Sequence, residues 1–200
     1  TGASCVTARS IPFAVEECVM ISKSIKHAAL PLTALAALFL AGCQDMGPGA
    51  QRGDSEIARA AMAAEPLSIR EMHRIYGNRT WTWDDGAGFL NARDRTFVAW
   101  TGSGANASYA DGTWFMTETG NLCFRANWAA IDGDGMAATC FEHRTDGARI
   151  FQRRQPDGEW YVFANSPIQP DDEIRRIRPG DAVFSRYERN KAEVARRRGG

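Results

Sequence analysis

All six tryptophans of the 200-residue chain lie between Trp81 and Trp160, and the stretch 76–163 carries 16 aromatic residues in 88 positions. Six Asp-Gly pairs punctuate it, at 85–86, 111–112, 132–133, 134–135, 146–147 and 157–158. Between them lie short β-rich runs: Thr80–Trp83, Arg95–Trp100, Thr113–Thr117, Leu122–Trp128, Ala137–Arg144, Arg149–Arg153 and Glu159–Phe163. Asp-Gly supplies the left-handed backbone that tight hairpin turns need, so this alternation predicts one antiparallel hairpin after another. Such a chain is mainly β. Its edges are hidden by closing the meander into a small barrel or folding it into a sandwich.

A short amphipathic helix precedes the meander. Ser68 and Glu71 form an S-x-x-E capping box, Ile69, Met72 and Ile75 share one helical face, and Gly77 offers a left-handed stop, which predicts a helix over 69–76. His73 sits at the edge of that apolar face as a surface histidine. Upstream, residues 44–66 hold Gly, Pro and Ala without an aromatic and read as a flexible tether, with a short Ala-rich helix around 56–64. Downstream, 188–200 reads as a polar helix or frayed tail beyond a β domain over 67–187.

The N-terminal part carries an address. Lys23 and Lys26 precede a 15-residue apolar run from Ala28 to Gly42. A membrane span needs about 20 such residues, so the run is short for one and fits a secretory signal peptide over 20–42. Its end, Leu40-Ala41-Gly42-Cys43, resembles the signal-peptidase box of bacterial lipoproteins. That resemblance implies a diacylglycerol and a palmitate on Cys43, a mature chain beginning there, and a membrane partner reached through the lipid. Residues 1–19 contain no Met and carry Glu16 and Glu17 where an export signal is basic, so they read as an upstream extension of the frame. Gln44 follows the cysteine; by resemblance to the enterobacterial sorting rule it favours the outer over the inner membrane, facing the periplasm.

In an oxidising compartment Cys123 and Cys140 become a disulfide candidate. Pairing them face to face sets a register in which Leu122 opposes Phe141 and Phe124 opposes Thr139 on one side, while Arg125 opposes Ala138 on the other. Apolar and polar residues then segregate, so the register is self-consistent.

Chemistry-bearing patterns are sparse. No G-x-S-x-G, H-E-x-x-H, P-loop or dinucleotide fingerprint occurs. Neither a catalytic constellation, nor a metal site, nor a cofactor site is therefore assigned. Thr101–Gly104 is a glycine-rich loop, and Asp132–Gly135 is tight-turn chemistry rather than a calcium loop, lacking the later bidentate Glu. His143 shares a face with Phe141 and Thr139, where it either lines a lumen as a ligand contact or acid/base group or caps a strand end. Trp81, Trp83 and Trp114 are further candidate ligand contacts, against which stands their use as packing in a small β core. Lys and Arg total 24, as do Asp and Glu, which removes the electrostatic argument for nucleic acid as a partner. The arginines at 153–154, 175–176 and 196–198 could meet anionic lipid, although nearby acids make a solvated surface the simpler account.

The region from Leu67 to Tyr187 resembles the domain-of-unknown-function 995 family of rhizobia and their relatives. The resemblance rests on Tyr76–Trp83, Phe97–Trp100 with the glycine-rich loop, Gly112–Phe115, Leu122–Phe124 with Trp128, and Cys140–Arg144 through Asp157–Tyr161. It implies an exported envelope protein and brings no catalytic residue. The expectation is a periplasm-facing lipoprotein whose β domain binds an envelope glycan, lipid or protein without catalysis. Two rivals stand beside it: a hydrolase or isomerase using His143 with Glu142 or Asp146, and a purely structural envelope protein.

Overall fold

The computed structural model describes residues 48–199, and side chains from residue 56 onward. The extension 1–19, the signal 20–42 and Cys43 with its box lie outside the described residues. In chain order the elements are α1 (Pro48–Ala63), β1 (Glu65–Pro66), α2 (Ile69–Tyr76), β2 (Arg79–Trp83), β3 (Gly86–Leu90), β4 (Thr96–Thr101), β5 (Ser108–Met116), β6 (Asn121–Ala130), β7 (Gly133–Thr145), β8 (Arg149–Arg154), β9 (Tyr161–Asn165), β10 (Ile177–Pro179) and α3 (Phe184–Arg198). Two 3-10 turns, Gly104–Asn106 and Glu173–Arg176, complete the list.

Strands β2 to β9 form one antiparallel meander, β10 adds to its first edge beside β2, and β1 pairs with β7. The sheet curls into a half-barrel. Its path ends at β9 and β10, so curling rather than ring closure buries one face. Side-chain alternation puts Leu122, Phe124, Ala126 and Trp128 of β6 on the concave face with Phe97, Ala99, Trp114 and Phe141, all buried. Met72 and Tyr76 of α2 fill the hollow. On the convex side Tyr187 of α3 and Val183, which precedes it, pack against Ala87, Phe89, Val98 and Trp100. Helix α1 covers Phe151 and Trp160 with Ile57 and Ala61.

The β6–β7 register is the one the cysteines imply: Cys123 faces Cys140, Leu122 faces Phe141, Phe124 faces Thr139 and Arg125 faces Ala138. The two cysteines are disulfide-bonded, with Cα atoms 4.1 Å apart.

Several local expectations change. The capping box at Ser68 and Glu71 is present, but the left-handed backbone falls on Asn78 (φ 55°), while Gly77 is extended. Gly77 is needed for space: a Cβ there would sit 2.8 Å from the His73 carbonyl. Asp111-Gly112 is no turn, and neither is Asp134-Gly135; they lie inside β5 and β7. The segment read as a tether is docked on the domain from Ile57 to Pro66, because its apolar face has Phe151, Trp160 and Val162 to cover. The tail is likewise an integral helix with Tyr187, Asn190 and Val194 buried; Asn190 donates to the carbonyls of Thr101 and Ser108 at 3.0 Å each.

Candidate functional site

His143 lies in β7 on the concave face and is fully buried. Its Nδ1 is 3.3 Å from the Gly120 carbonyl, which can only accept, so Nδ1 carries the proton. Nε2 is then an acceptor. It faces the Tyr76 hydroxyl at 2.8 Å and the Gln152 amide nitrogen. That amide also donates to the Tyr76 oxygen at 2.9 Å, and the Tyr161 hydroxyl donates to Gln152 Oε1. Phe163 and Tyr76 pack edge-on against the imidazole at centroid distances of 5.8 and 5.5 Å. Burial pushes the His143 pKa down to about 4, so the ring is neutral at physiological pH. Burial also raises the Tyr76 and Tyr161 hydroxyls, which stay protonated. The result is a closed, uncharged network in a filled core.

Glu142 and Asp146, the acids considered beside His143, are engaged elsewhere. Neighbours along a strand point to opposite faces. Glu142 therefore emerges on the convex side, where Arg144 (2.9 Å), Arg153 (2.7 Å) and Gln155 (2.8 Å) surround it. Burial works against its carboxylate, but the two arginines outweigh that and hold the carboxyl below its usual range. Asp146 caps the β7–β8 turn through the Ala148 and Arg149 amides and pairs with the Arg149 guanidinium at 2.8 Å.

The tryptophans share no exposed platform. Trp114 is buried and donates its indole N–H to the Asn91 carbonyl at 3.0 Å, with the Arg95 guanidinium 4.5 Å from its ring. Trp81 packs on Phe141 (4.9 Å) and Tyr76 (5.6 Å), which connects it to the His143 network through the core. Trp83 is half-buried with its indole N–H 3.4 Å from Thr101 Oγ1. Asp134, in the Asp132–Gly135 run, pairs with Arg198 of α3 at 2.5 Å. Among the described residues no three His, Cys, Asp or Glu side chains cluster as a metal site, and no helix is long and apolar enough to cross a membrane.

Open space lies along α2 instead. Three clefts border α2, and two of them run along the face that carries Arg74 and Ile75. One, of about 350 Å³, lies between that face, the β7–β8 turn and the end of β9. The other, of about 360 Å³, continues from Arg74 and Ile75 toward Arg79, the Glu173–Arg176 turn and β10. The second is floored by Ile75, Ile174 and Ile177, flanked by the half-exposed Ile168, and rimmed by Arg74, Arg79 and Arg175; no carboxylate lines it.

Gln152 was within reach of sequence reasoning, since a β7–β8 hairpin about Gly147 sets it opposite His143. The cleft was not, because Ile168, Ile174 and Ile177 lie in a stretch with no strand or helix period.

No curated protein and no solved structure matches the chain. One family model does match, over residues 38–183, and it spans α2, the whole sheet and the approach to α3. The chain belongs to that family, described as "Protein of unknown function (DUF995)".

Proposed function

We propose that this is a lipid-anchored envelope protein, facing the periplasm from the outer membrane, whose half-barrel domain binds rather than catalyses. The anchor rests on the apolar run that ends at Leu40-Ala41-Gly42-Cys43. The Cys123–Cys140 bridge is consistent with an oxidising compartment. The binding role rests on one observation: the concave face is filled by Tyr76, Met72 and the aromatic cluster, with His143 sealed inside. A sealed imidazole offers no atom to a substrate, which leaves recognition to the clefts along α2. Only residues 44–47 separate Cys43 from α1. At roughly 3.5 Å per residue they reach under about 20 Å, so the anchor would hold the domain close to the bilayer surface.

Metabolic labelling with an alkyne fatty acid tests the anchor. The wild-type chain is expected to carry the label and fractionate with membranes. Cys43→Ser is expected to carry none. Label that persists in Cys43→Ser, or an unlabelled wild-type chain in the cytosol, overturns the reading.

A further inference from the structure

We infer that the cleft between α2 and β10 is a binding site for an acidic glycerophospholipid, with the phosphodiester on the arginine rim and part of one acyl chain on the isoleucine floor. The inference rests on the proposed envelope role and gives that binding module its ligand class.

The chemistry of the lining is lopsided. Ile75, Ile174 and Ile177 are half-buried, and Ile168 remains 55% exposed at the edge. A solvent-facing aliphatic floor of this kind gains from covering by hydrocarbon. Around it stand three guanidinium groups, from Arg74, Arg79 and Arg175, and the lining contains no carboxylate to neutralise them. Two neighbouring acids, Glu71 and Asp172, feel the charges of Arg74 and Arg175 respectively but spend their hydrogen bonds elsewhere. Glu71 is bound to the Ser68 backbone amide (3.1 Å) and hydroxyl (2.5 Å), and Asp172 accepts from Asn165 (2.9 and 2.7 Å) and Gln169 (2.7 Å). Arg176, next in the chain, is by contrast consumed by Asp84 and Glu173.

Guanidinium forks match the oxygens of a phosphate, and several around one group suit a phosphodiester better than a single carboxylate. At about 360 Å³ the cleft is near the small end of ligand pockets, roughly 300–1,000 Å³, which suits part of one acyl chain rather than two. The anchor proposed above would keep the domain at a membrane surface that holds such lipids.

The test uses the full chain extracted in neutral dodecyl maltoside and titrated with myristoyl-lysophosphatidylglycerol, read by native mass spectrometry and calorimetry. One bound lipid per chain is expected. The combined variant Arg74→Gln/Arg79→Gln/Arg175→Gln should lose affinity by about tenfold or more, and Ile168→Gln, at an exposed position, by a few-fold. Lysophosphatidylcholine, whose choline meets the same arginines, should bind about tenfold more weakly, and so should myristate. Equal affinity for either control, or an unchanged affinity in the arginine variant, overturns the assignment. The titration is repeated on the Cys43→Ser chain. Binding retained there shows that the cleft works without its anchor, so failure of the lipoprotein reading and failure of the cleft give different results.

Discussion

A neutral imidazole sealed at position 143 leaves a signature in the pH dependence of stability. Unfolded, the ring protonates near 6.5; folded, burial holds it at about 4. Between those values the unfolded chain binds more protons, so stability is full above 6.5 and falls as pH drops toward 4. The loss is expected to be on the order of 3 kcal/mol. Glu142 and Asp172, whose carboxyls are held low from ordinary values of 4.5 and 3.8, begin to contribute only about one pH unit above those values. Urea midpoints from pH 6.5 down to about 5.5 therefore report on His143 ahead of the carboxyls, and His143→Gln should flatten that part of the profile. Tyr76→Phe removes a hydroxyl that faces both His143 Nε2 and the Gln152 amide. It should cost about 1–3 kcal/mol at neutral pH. A variant as stable as the wild type would show that the network is not closed as described. At this scale the sequence was only partly readable. Alternation placed His143 on the inner face, but its partner Tyr76 and the Tyr161 that binds Gln152 come from α2 and β9, and no local pattern joins them.

Among the elements, the β6–β7 pair was the most legible, because the two cysteines and the apolar alternation demand the same register. Closing the 17-residue separation should stabilise the fold by roughly 3 kcal/mol in the chain-entropy model. Cys123→Ala/Cys140→Ala is expected to lower the denaturant midpoint accordingly and leave the far-ultraviolet spectrum intact. Strand β3 was missed. Its Gly86-Ala87-Gly88 start has poor β propensity, and the glycines are there for close approach to Trp83 and Phe97. Gly112 misled for the same reason. In β5 a Cβ at this position would lie 2.1 Å from the Arg125 carbonyl oxygen and 2.5 Å from Ala126 Cα, both backbone atoms of β6. Gly112→Ala should therefore push β5 from β6 and destabilise by about 2 kcal/mol or more. Hydrogen exchange would show it as lost protection at Asp111–Thr113 and Arg125–Asn127. Unchanged protection would mean that the strands have room to part.

For the whole molecule, three helices do what ring closure does in a complete barrel. Helix α2 fills the hollow, α3 and α1 shield the convex face, and the Glu173–Arg176 turn stands between β9 and β2. The mainly antiparallel architecture followed from turn chemistry and aromatic runs. The docking of α1 and α3 did not, since their polar composition resembles that of solvated segments and the few apolar contacts that hold them are nonlocal. With α1 fastened to Phe151 and Trp160, the lipid proposed on Cys43 would constrain the body of the domain. The intact mass of the chain extracted from membranes, without reduction, tests this picture most directly. The expected species is a polypeptide that starts at Cys43, carries acyl mass on that residue, and is two hydrogens lighter than its sequence for the Cys123–Cys140 bond. A chain that retains residues before 43, carries no lipid, or takes up thiol reagent at Cys123 and Cys140 would contradict it.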